Sequence, residues 1–222
     1  MANSGGICSC LSSAVLFGLS ALLIALSIIC HVIALATDYW LTSDDEDQNN
    51  FLNLGLFKAC FDNYYHKYDV PYKLYNGCHN LESQYYSSMK EWLLPGWLFS
   101  ARVLAVISLI LLIVGTIIFI LLALIWCCRT ACCSDDVGKG EKCLSYAGPI
   151  VFIVTGMLIM VVCMIFGDNA RKLQCKNFWV EGHLGYSWGF EVASCIFAYI
   201  AGLFLIRLVV LKARENWKSS EY

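Results

Sequence analysis

Four long apolar stretches constrain this chain more than any other feature, because each is long enough to cross a lipid bilayer as a helix. No charged residue occurs in residues 11–37, 103–128 or 143–167, and residues 187–211 contain only Glu191 and Arg207. A bilayer core requires about 20 apolar residues in helical form. Only a helix satisfies the backbone of such a single segment in lipid. The sequence therefore predicts four transmembrane helices.

The composition agrees with a lipid environment and gives no support for an enzyme or a nucleic-acid binder. Hydrophobic residues make up 59 % of the chain and charged residues 14 %, whereas soluble domains have about 45–50 % and about 25 %. The net charge of −2 gives no electrostatic basis for binding nucleic acid. No phosphate-binding glycine loop, nucleophile elbow or zinc-protease motif occurs. We expect no catalytic residue, cofactor, metal or small-molecule substrate.

The first stretch has a second interpretation, as a cleaved signal peptide. Ala34-Leu35-Ala36 resembles a cleavage site for signal peptidase. However, the uncharged run is 27 residues long, and a signal peptide has an apolar region of about 7–15 residues. We therefore predict that the stretch is retained as a membrane helix.

The distribution of basic residues favours cytoplasmic termini. The second loop and the tail contain six Lys and Arg residues, and the first and third loops contain seven. Long loops are translocated with little regard to charge, and without the first loop the comparison is six against three. The predicted organisation is a cytoplasmic N-terminus (1–10), a first span (11–37), extracellular loop 1 (38–97), a second span (98–128), a cytoplasmic loop (129–145), a third span (146–167), extracellular loop 2 (168–186), a fourth span (187–211) and a cytoplasmic tail (212–222).

Extracellular loop 1 contains two cysteines, Cys60 and Cys78. A pair of cysteines in an oxidising compartment predicts a disulfide. Closing a loop of this length stabilises a small domain by roughly 3 kcal/mol. Cys175 in loop 2 is either free or bonded to another chain.

Further cysteines lie beside the spans on the predicted cytoplasmic side. Cys127, Cys128, Cys132 and Cys133 follow the second span, and Cys8 and Cys10 precede the first. Such juxtamembrane cysteines are candidates for S-palmitoylation. The alternatives are that they are small apolar fillers or, less consistently with their doublet spacing, a zinc site.

Short strand-like runs and turn signals predict a small antiparallel sheet in loop 1. Asn76-Gly77 favours a tight hairpin turn, and residues 178–180 of loop 2 are a candidate edge strand. The predicted fold class is a membrane all-α four-helix transmembrane bundle with a small extracellular antiparallel β-sheet. Loop 1 has a net charge of −5, which would either favour cations along an intercellular path or simply keep the surface solvated.

Ionisable residues within spans are the remaining functional candidates. Arg102 and Glu191 both lie near the outer ends of their spans and would pair across helices. Alternatively, Arg102 reaches the interface and Glu191 lies in water. Arg207 is predicted to extend to the inner interface. His31 is alone in an apolar span and favours a core histidine over a metal ligand.

Loop 1 also contains a motif: Trp40, then Gly55-Leu56-Phe57, then Cys60 and Cys78. This pattern resembles the claudin superfamily, which has a Trp, a Gly-Leu-Trp and two disulfide-bonded cysteines. Ser100-Ala101-Arg102 at the start of the second span is also similar. Phe57 stands in place of the motif's Trp, and the two cysteines are further apart than in typical vertebrate claudins. The wide spacing is closest to the invertebrate septate-junction members.

The resemblance implies a claudin-like structural component of an occluding, septate-type junction. Such a protein supports the paracellular barrier of epithelia or glia from the lateral plasma membrane, in contact with lipid, with itself and with other junction membrane proteins in cis and trans. Trp40, Gly55, Leu56 and Phe57 would seat the sheet on the helices, with Arg102 in support. The alternatives are an auxiliary subunit of an ion channel or receptor, like the calcium-channel gamma group, or a tetraspan regulator of membrane traffic.

Overall fold

The structure, a computed structural model, describes residues 4–43, 50–66, 73–132, 139–175 and 182–220. Four long helices carry the apolar stretches, and five short strands with two short helical turns lie between them. In chain order the elements are α1 (Ser4–Ala36), β1 (Leu41–Ser43), β2 (Phe51–Leu54), β3 (Lys58–Tyr65), β4 (Leu74–Asn80), a 3₁₀ helix (Gln84–Met89), α2 (Lys90–Leu93), α3 (Gly96–Cys132), α4 (Lys139–Cys175), β5 (Gly182–Leu184) and α5 (Tyr186–Ser220).

The four long helices are each apolar enough to cross a membrane. The candidate spans are Ser13–Ala36, Gly96–Cys128, Cys143–Ala170 and Tyr186–Arg214. Each exceeds the length of about 20 residues that a bilayer core requires. The predicted fold class, four membrane helices with a small antiparallel sheet, is confirmed.

The sheet has five antiparallel strands in the order β4-β3-β2-β1-β5. Strand β5 comes from the segment between α4 and α5 and pairs with β1. The edge strand predicted at residues 178–180 lies outside the described residues, and the observed strand begins at Gly182.

The hairpin turn predicted at Asn76-Gly77 is wrong, because both residues lie inside β4. Gly77 has a φ of 81° and faces Phe61 of β3, just before the register of the two strands shifts. Asn63, with a φ of 52°, lies in the shifted segment, and its N–H donates to Asn76 Oδ1. An Asn-Gly pair is suited to a bulge as well as to a turn, because both residues tolerate positive φ.

The chain divides into two compact units. One, which we call the sheet unit, comprises residues 29–107 and 158–194. The other, the helical unit, comprises residues 1–28, 108–157 and 195–222. The sheet unit contains all five strands and both short helical turns.

Aromatic side chains form the core of the sheet unit. Trp40, Tyr75, Tyr86, Phe61 and Phe166 are all fully buried. The hydroxyl of Tyr86 donates to the carbonyl of Ala59 at 3.0 Å, and burial raises the pKa of Tyr86 to about 12. A sheet of this size therefore obtains a core by packing against the ends of helices.

Glycines and aromatic rings pack the helical unit. A Cβ at Gly156 would lie 3.1 Å from the ring of Tyr199, and one at Gly115 would lie 3.1 Å from Phe152. Phe17 stacks on Phe119 with ring centroids 4.6 Å apart. Small residues let membrane helices approach closely where no hydrophobic effect drives them together.

Candidate functional site

Trp40 is the first motif residue and lies where α1 passes into β1. Its indole is completely buried and its Nε1 donates to the carbonyl of Ala34 at 2.7 Å. The ring packs on Phe166 of α4, with centroids 4.9 Å apart. The Trp40 backbone N–H also donates to Leu54 of β2 at 3.1 Å. One residue thus joins the end of α1, the sheet and α4.

Gly55 occupies a position that no other residue fits. A Cβ here would lie 2.6 Å from the Cα of Asp38 and 3.2 Å from the carbonyl oxygen of Thr37. Both neighbours are backbone atoms, so they cannot move aside as a flexible side chain would. The glycine therefore lets β2 and β3 approach the segment after α1. Asp38 is partly buried there, which raises its pKa, while Lys58 at 3.9 Å opposes that shift.

Arg102 of α3 binds the segment that follows Gly55. Its Nε donates to the buried carbonyl of Leu56 at 2.8 Å, and its guanidinium lies 5.1 Å from the centroid of the Phe57 ring. Its Nη1 donates to Oε1 of Glu82 at 2.6 Å. Both hypotheses for Arg102 and Glu191 are wrong: the two residues do not pair, and Glu191 is buried rather than in water. The guanidinium is directed toward the sheet, where a backbone carbonyl and a carboxylate accept its hydrogen bonds.

Cys60 and Cys78 form the predicted disulfide. They face each other on β3 and β4, and their Cα atoms are 4.0 Å apart. The bond therefore joins the two strands at a point between the Lys58–Asn80 pair and the Tyr65–Leu74 pair. Of the predicted motif, Trp40, Gly55, Leu56, Phe57, Arg102 and both cysteines lie within the sheet unit.

A series of hydrogen bonds joins the end of α1 and β1 to β5 and the start of α5. We call this series the polar seam. Leu41 pairs with Leu184 in the sheet, and the Gly185 N–H donates to Trp40 at 3.0 Å. Next, Ser187 Oγ accepts from the Tyr39 N–H at 3.1 Å and lies 2.7 Å from Thr37 Oγ1. Further along the same two helices, His31 contacts Glu191.

Glu191 pairs with His31 at the end of the polar seam that lies within the helices. His31 Nδ1 lies 2.8 Å from Glu191 Oε2, and both side chains are fully buried. His31 Nε2 lies 3.1 Å from the carbonyl oxygen of Ala105 on α3. The interpretation of His31 as a satisfied core histidine is confirmed. Sequence reasoning missed its partner, although two ionisable residues at equal depth in their spans were a usable signal.

The remaining sequence candidates lie elsewhere. Cys127 and Cys128 are exposed near the end of α3, and so is Cys143 at the start of α4, which we did not single out. Cys132 ends α3 with a side chain outside the described part, and Cys133 lies outside the described residues altogether, as does the acidic run at 44–47. The side chains of Cys8, Cys10 and Cys175 are also not among those described. Arg207 is exposed on α5.

No metal site is visible in the described part of the chain, where no three His, Cys, Asp or Glu side chains converge. The contacts around the C-terminal end of α1 instead combine burial, close backbone approach and interhelical hydrogen bonds. Such an arrangement can hold a sheet in a fixed position on a membrane helix.

Comparison with known proteins agrees with the motif. A search among curated proteins found no match. The family model described as "PMP-22/EMP/MP20/Claudin tight junction" matches residues 25–207. This range includes the motif, the disulfide and the polar seam, together with half of the first candidate span, all of the second and third, and most of the fourth. The chain therefore belongs to the PMP-22/EMP/MP20/claudin family of multi-pass membrane proteins.

Proposed function

We propose that the protein is a structural component of an occluding, septate-type cell junction. It resides in the lateral plasma membrane with both termini in the cytoplasm and the sheet outside the cell. It supports the paracellular barrier by contacting itself or other junction membrane proteins, and it catalyses no reaction. The motif residues Trp40, Gly55, Leu56, Phe57 and Arg102 hold the sheet in place.

The observation that carries this proposal is the disulfide-bonded β3–β4 hairpin. Lys58 and Asn80 pair at the end near Asp38, and Tyr65 and Leu74 pair at the opposite end. Tyr65 and Leu74 are 40 % and 44 % exposed, although both have large apolar side chains. Exposed apolar side chains that lie together on an extracellular surface can contribute to a contact with another protein. With the sheet outside the cell, we place the contact with a neighbouring molecule at these two residues.

We also propose that palmitate is attached to the exposed cysteines at the end of α3, Cys127 and Cys128, and to Cys132 and Cys133 that follow. Acyl chains there would enter the inner leaflet beside the helix and strengthen its anchoring. Hydroxylamine cleaves the thioester of a palmitoylated cysteine. The resulting loss of the palmitoyl mass, counted for each cysteine, measures this modification.

Tracer permeability of a polarised epithelium tests the junction proposal. We expect the tagged protein to form a continuous lateral belt, and its depletion to make the epithelium leak a small paracellular tracer. Wild-type protein should restore the barrier, whereas the double variant Tyr65→Ser, Leu74→Ser should reach the belt and restore it poorly.

Asp62→Ser is the matched control, since Asp62 is an exposed residue of the same strand but lacks an apolar side chain. It should restore the barrier as wild type does. A scattered distribution with an intact barrier after depletion would refute the junction role. Full rescue by the double variant would refute the contact at the hairpin end alone.

A further inference from the structure

The polar seam ends on two ionisable side chains that lie at matching depths in two candidate spans. His31 lies five residues before the last residue of α1, and Glu191 lies five residues after the first residue of α5. At ~1.5 Å per residue, each lies roughly 7–8 Å along its helix from the sheet end. A contact at this depth extends the pairing of β1 with β5 into the membrane helices.

The hydrogen-bond partners of His31 determine where its protons lie. A carbonyl oxygen can only accept a hydrogen bond, so the contact with Ala105 requires a proton on Nε2. The 2.8 Å contact between Nδ1 and Glu191 Oε2 requires one further proton between those two atoms. The pair therefore carries no net charge, whichever atom holds the second proton.

The second oxygen of Glu191 indicates which atom, His31 Nδ1 or Glu191 Oε2, holds this second proton. Oε1 is buried and has no hydrogen-bond partner among the described residues. If Glu191 were a carboxylate, this oxygen would carry part of a full negative charge without a donor. If Glu191 is a carboxylic acid, Oε1 is only an unpaired carbonyl oxygen. Burying an unsatisfied charge costs far more than burying a neutral polar atom.

We propose that His31 and Glu191 form a neutral proton-sharing pair that fixes α1, α3 and α5 together inside the membrane. Glu191 is a carboxylic acid whose O–H donates to His31 Nδ1. His31 is the neutral tautomer whose Nε2–H donates to Ala105. The polar seam thereby continues through the apolar spans without placing an ion in lipid.

This proposal predicts which replacements of Glu191 the protein tolerates. In Glu191→Gln, the amide N–H takes the place of the acid O–H and donates to the same Nδ1 of neutral histidine. In Glu191→Leu, the shape is similar but the donor is lost. An ion pair would instead predict that both replacements are similarly costly, because each of them leaves an imidazolium without its counterion.

Infrared difference spectroscopy of the purified full-length protein in lipid nanodiscs at neutral pH reads the proton directly. The spectrum of wild type minus Glu191→Gln isolates the Glu191 group from all other carboxyls. We expect a carbonyl-stretching band of a protonated carboxylic acid. Carboxylate stretching bands in that difference spectrum would overturn the proposal.

Thermal unfolding of the same samples supplies a second measurement. We expect Glu191→Gln to unfold close to wild type and Glu191→Leu to unfold about 5–10 °C lower. Thr155→Val is the control, because the buried Thr155 hydroxyl donates only along its own helix, to Val151, and the variant should change little. A Glu191→Gln protein that unfolds as early as Glu191→Leu, or does not fold, would contradict the neutral pair.

Discussion

The sheet unit and the helical unit of this protein are stabilised by different kinds of contact. In the sheet unit, a disulfide, the hydrogen bonds of a buried arginine and those of the polar seam each join specific atoms. In the helical unit, glycines pack against aromatic rings and rings pack against each other, beside polar contacts such as that of Trp126 Nε1 with Glu141 Oε1. The first kind depends on the identity of single residues, and the second on the approximate size and apolarity of many.

The difference follows from the surroundings of the two units. Helices in lipid already satisfy their own backbones, so their packing requires shape more than hydrogen bonds. A small sheet has strand ends, turns and edges to satisfy, and little core of its own. The comparison predicts that single substitutions in the sheet unit cost more than those in the helical unit.

Loss of the disulfide should give the largest effect. Cys60→Ser opens a loop with a sequence separation of 18 residues, which should destabilise the sheet unit by about 3 kcal/mol. We expect much less protein at the cell surface and rapid cleavage of the sheet by added protease. Cys78→Ser should behave identically, and the double variant should be no worse than either, because all three lose the same bond.

Cys143→Ser is the matched control for this experiment. Cys143 is exposed, forms no disulfide and belongs to the helical unit, so its replacement should leave surface level and protease resistance unchanged. Wild-type surface levels of Cys60→Ser would contradict the view that the sheet depends on this bond.

The sequence predicted the spans, the disulfide and the motif because each depends on composition or on residue spacing along the chain. The contacts of Arg102 and Glu191 depend on which residues from distant segments meet. Glu82, in the segment after β4, binds Arg102 of α3 although 20 residues separate them in the sequence, and no local sequence pattern predicts that contact. Similarly, Asn76-Gly77 is suited both to a hairpin turn and to a bulge, and only the register of β4 with β3 decides between the two.

Replacing Arg102 should give the intermediate effect. In Arg102→Lys the positive charge remains, but one ammonium group cannot serve the Leu56 carbonyl, the Phe57 ring and Glu82 in the geometry of the planar guanidinium. The buried carbonyl would lose its donor, so we expect destabilisation of about 1–3 kcal/mol. Thermal unfolding of the purified protein measures this effect.

Glu82→Gln separates the two ends of the Arg102 contact. The Glu82 side chain is 56 % exposed, and an exposed ion pair contributes about 0–1 kcal/mol. Its replacement should therefore cost clearly less than Arg102→Lys. If both variants lost the same stability, the ion pair would account for the role of Arg102, and the buried carbonyl would not.

The smallest effect should come from a cation–π contact within the helical unit. Lys212 Nζ lies 3.0 Å from the centroid of the Trp126 ring. A cation–π contact at such a site contributes about 0.5–1 kcal/mol, and methionine retains the unbranched stem and a favourable sulfur–ring contact. Lys212→Met should thus lower the unfolding temperature by only about 1–4 °C.

Arg214→Met is the control, because it removes the same charge from an exposed position of the same helix. Equal shifts in both variants would assign the effect to charge near the headgroups. A loss as large as that of Arg102→Lys would show that the helical unit also depends on single polar contacts, and the contrast between the two units would fail.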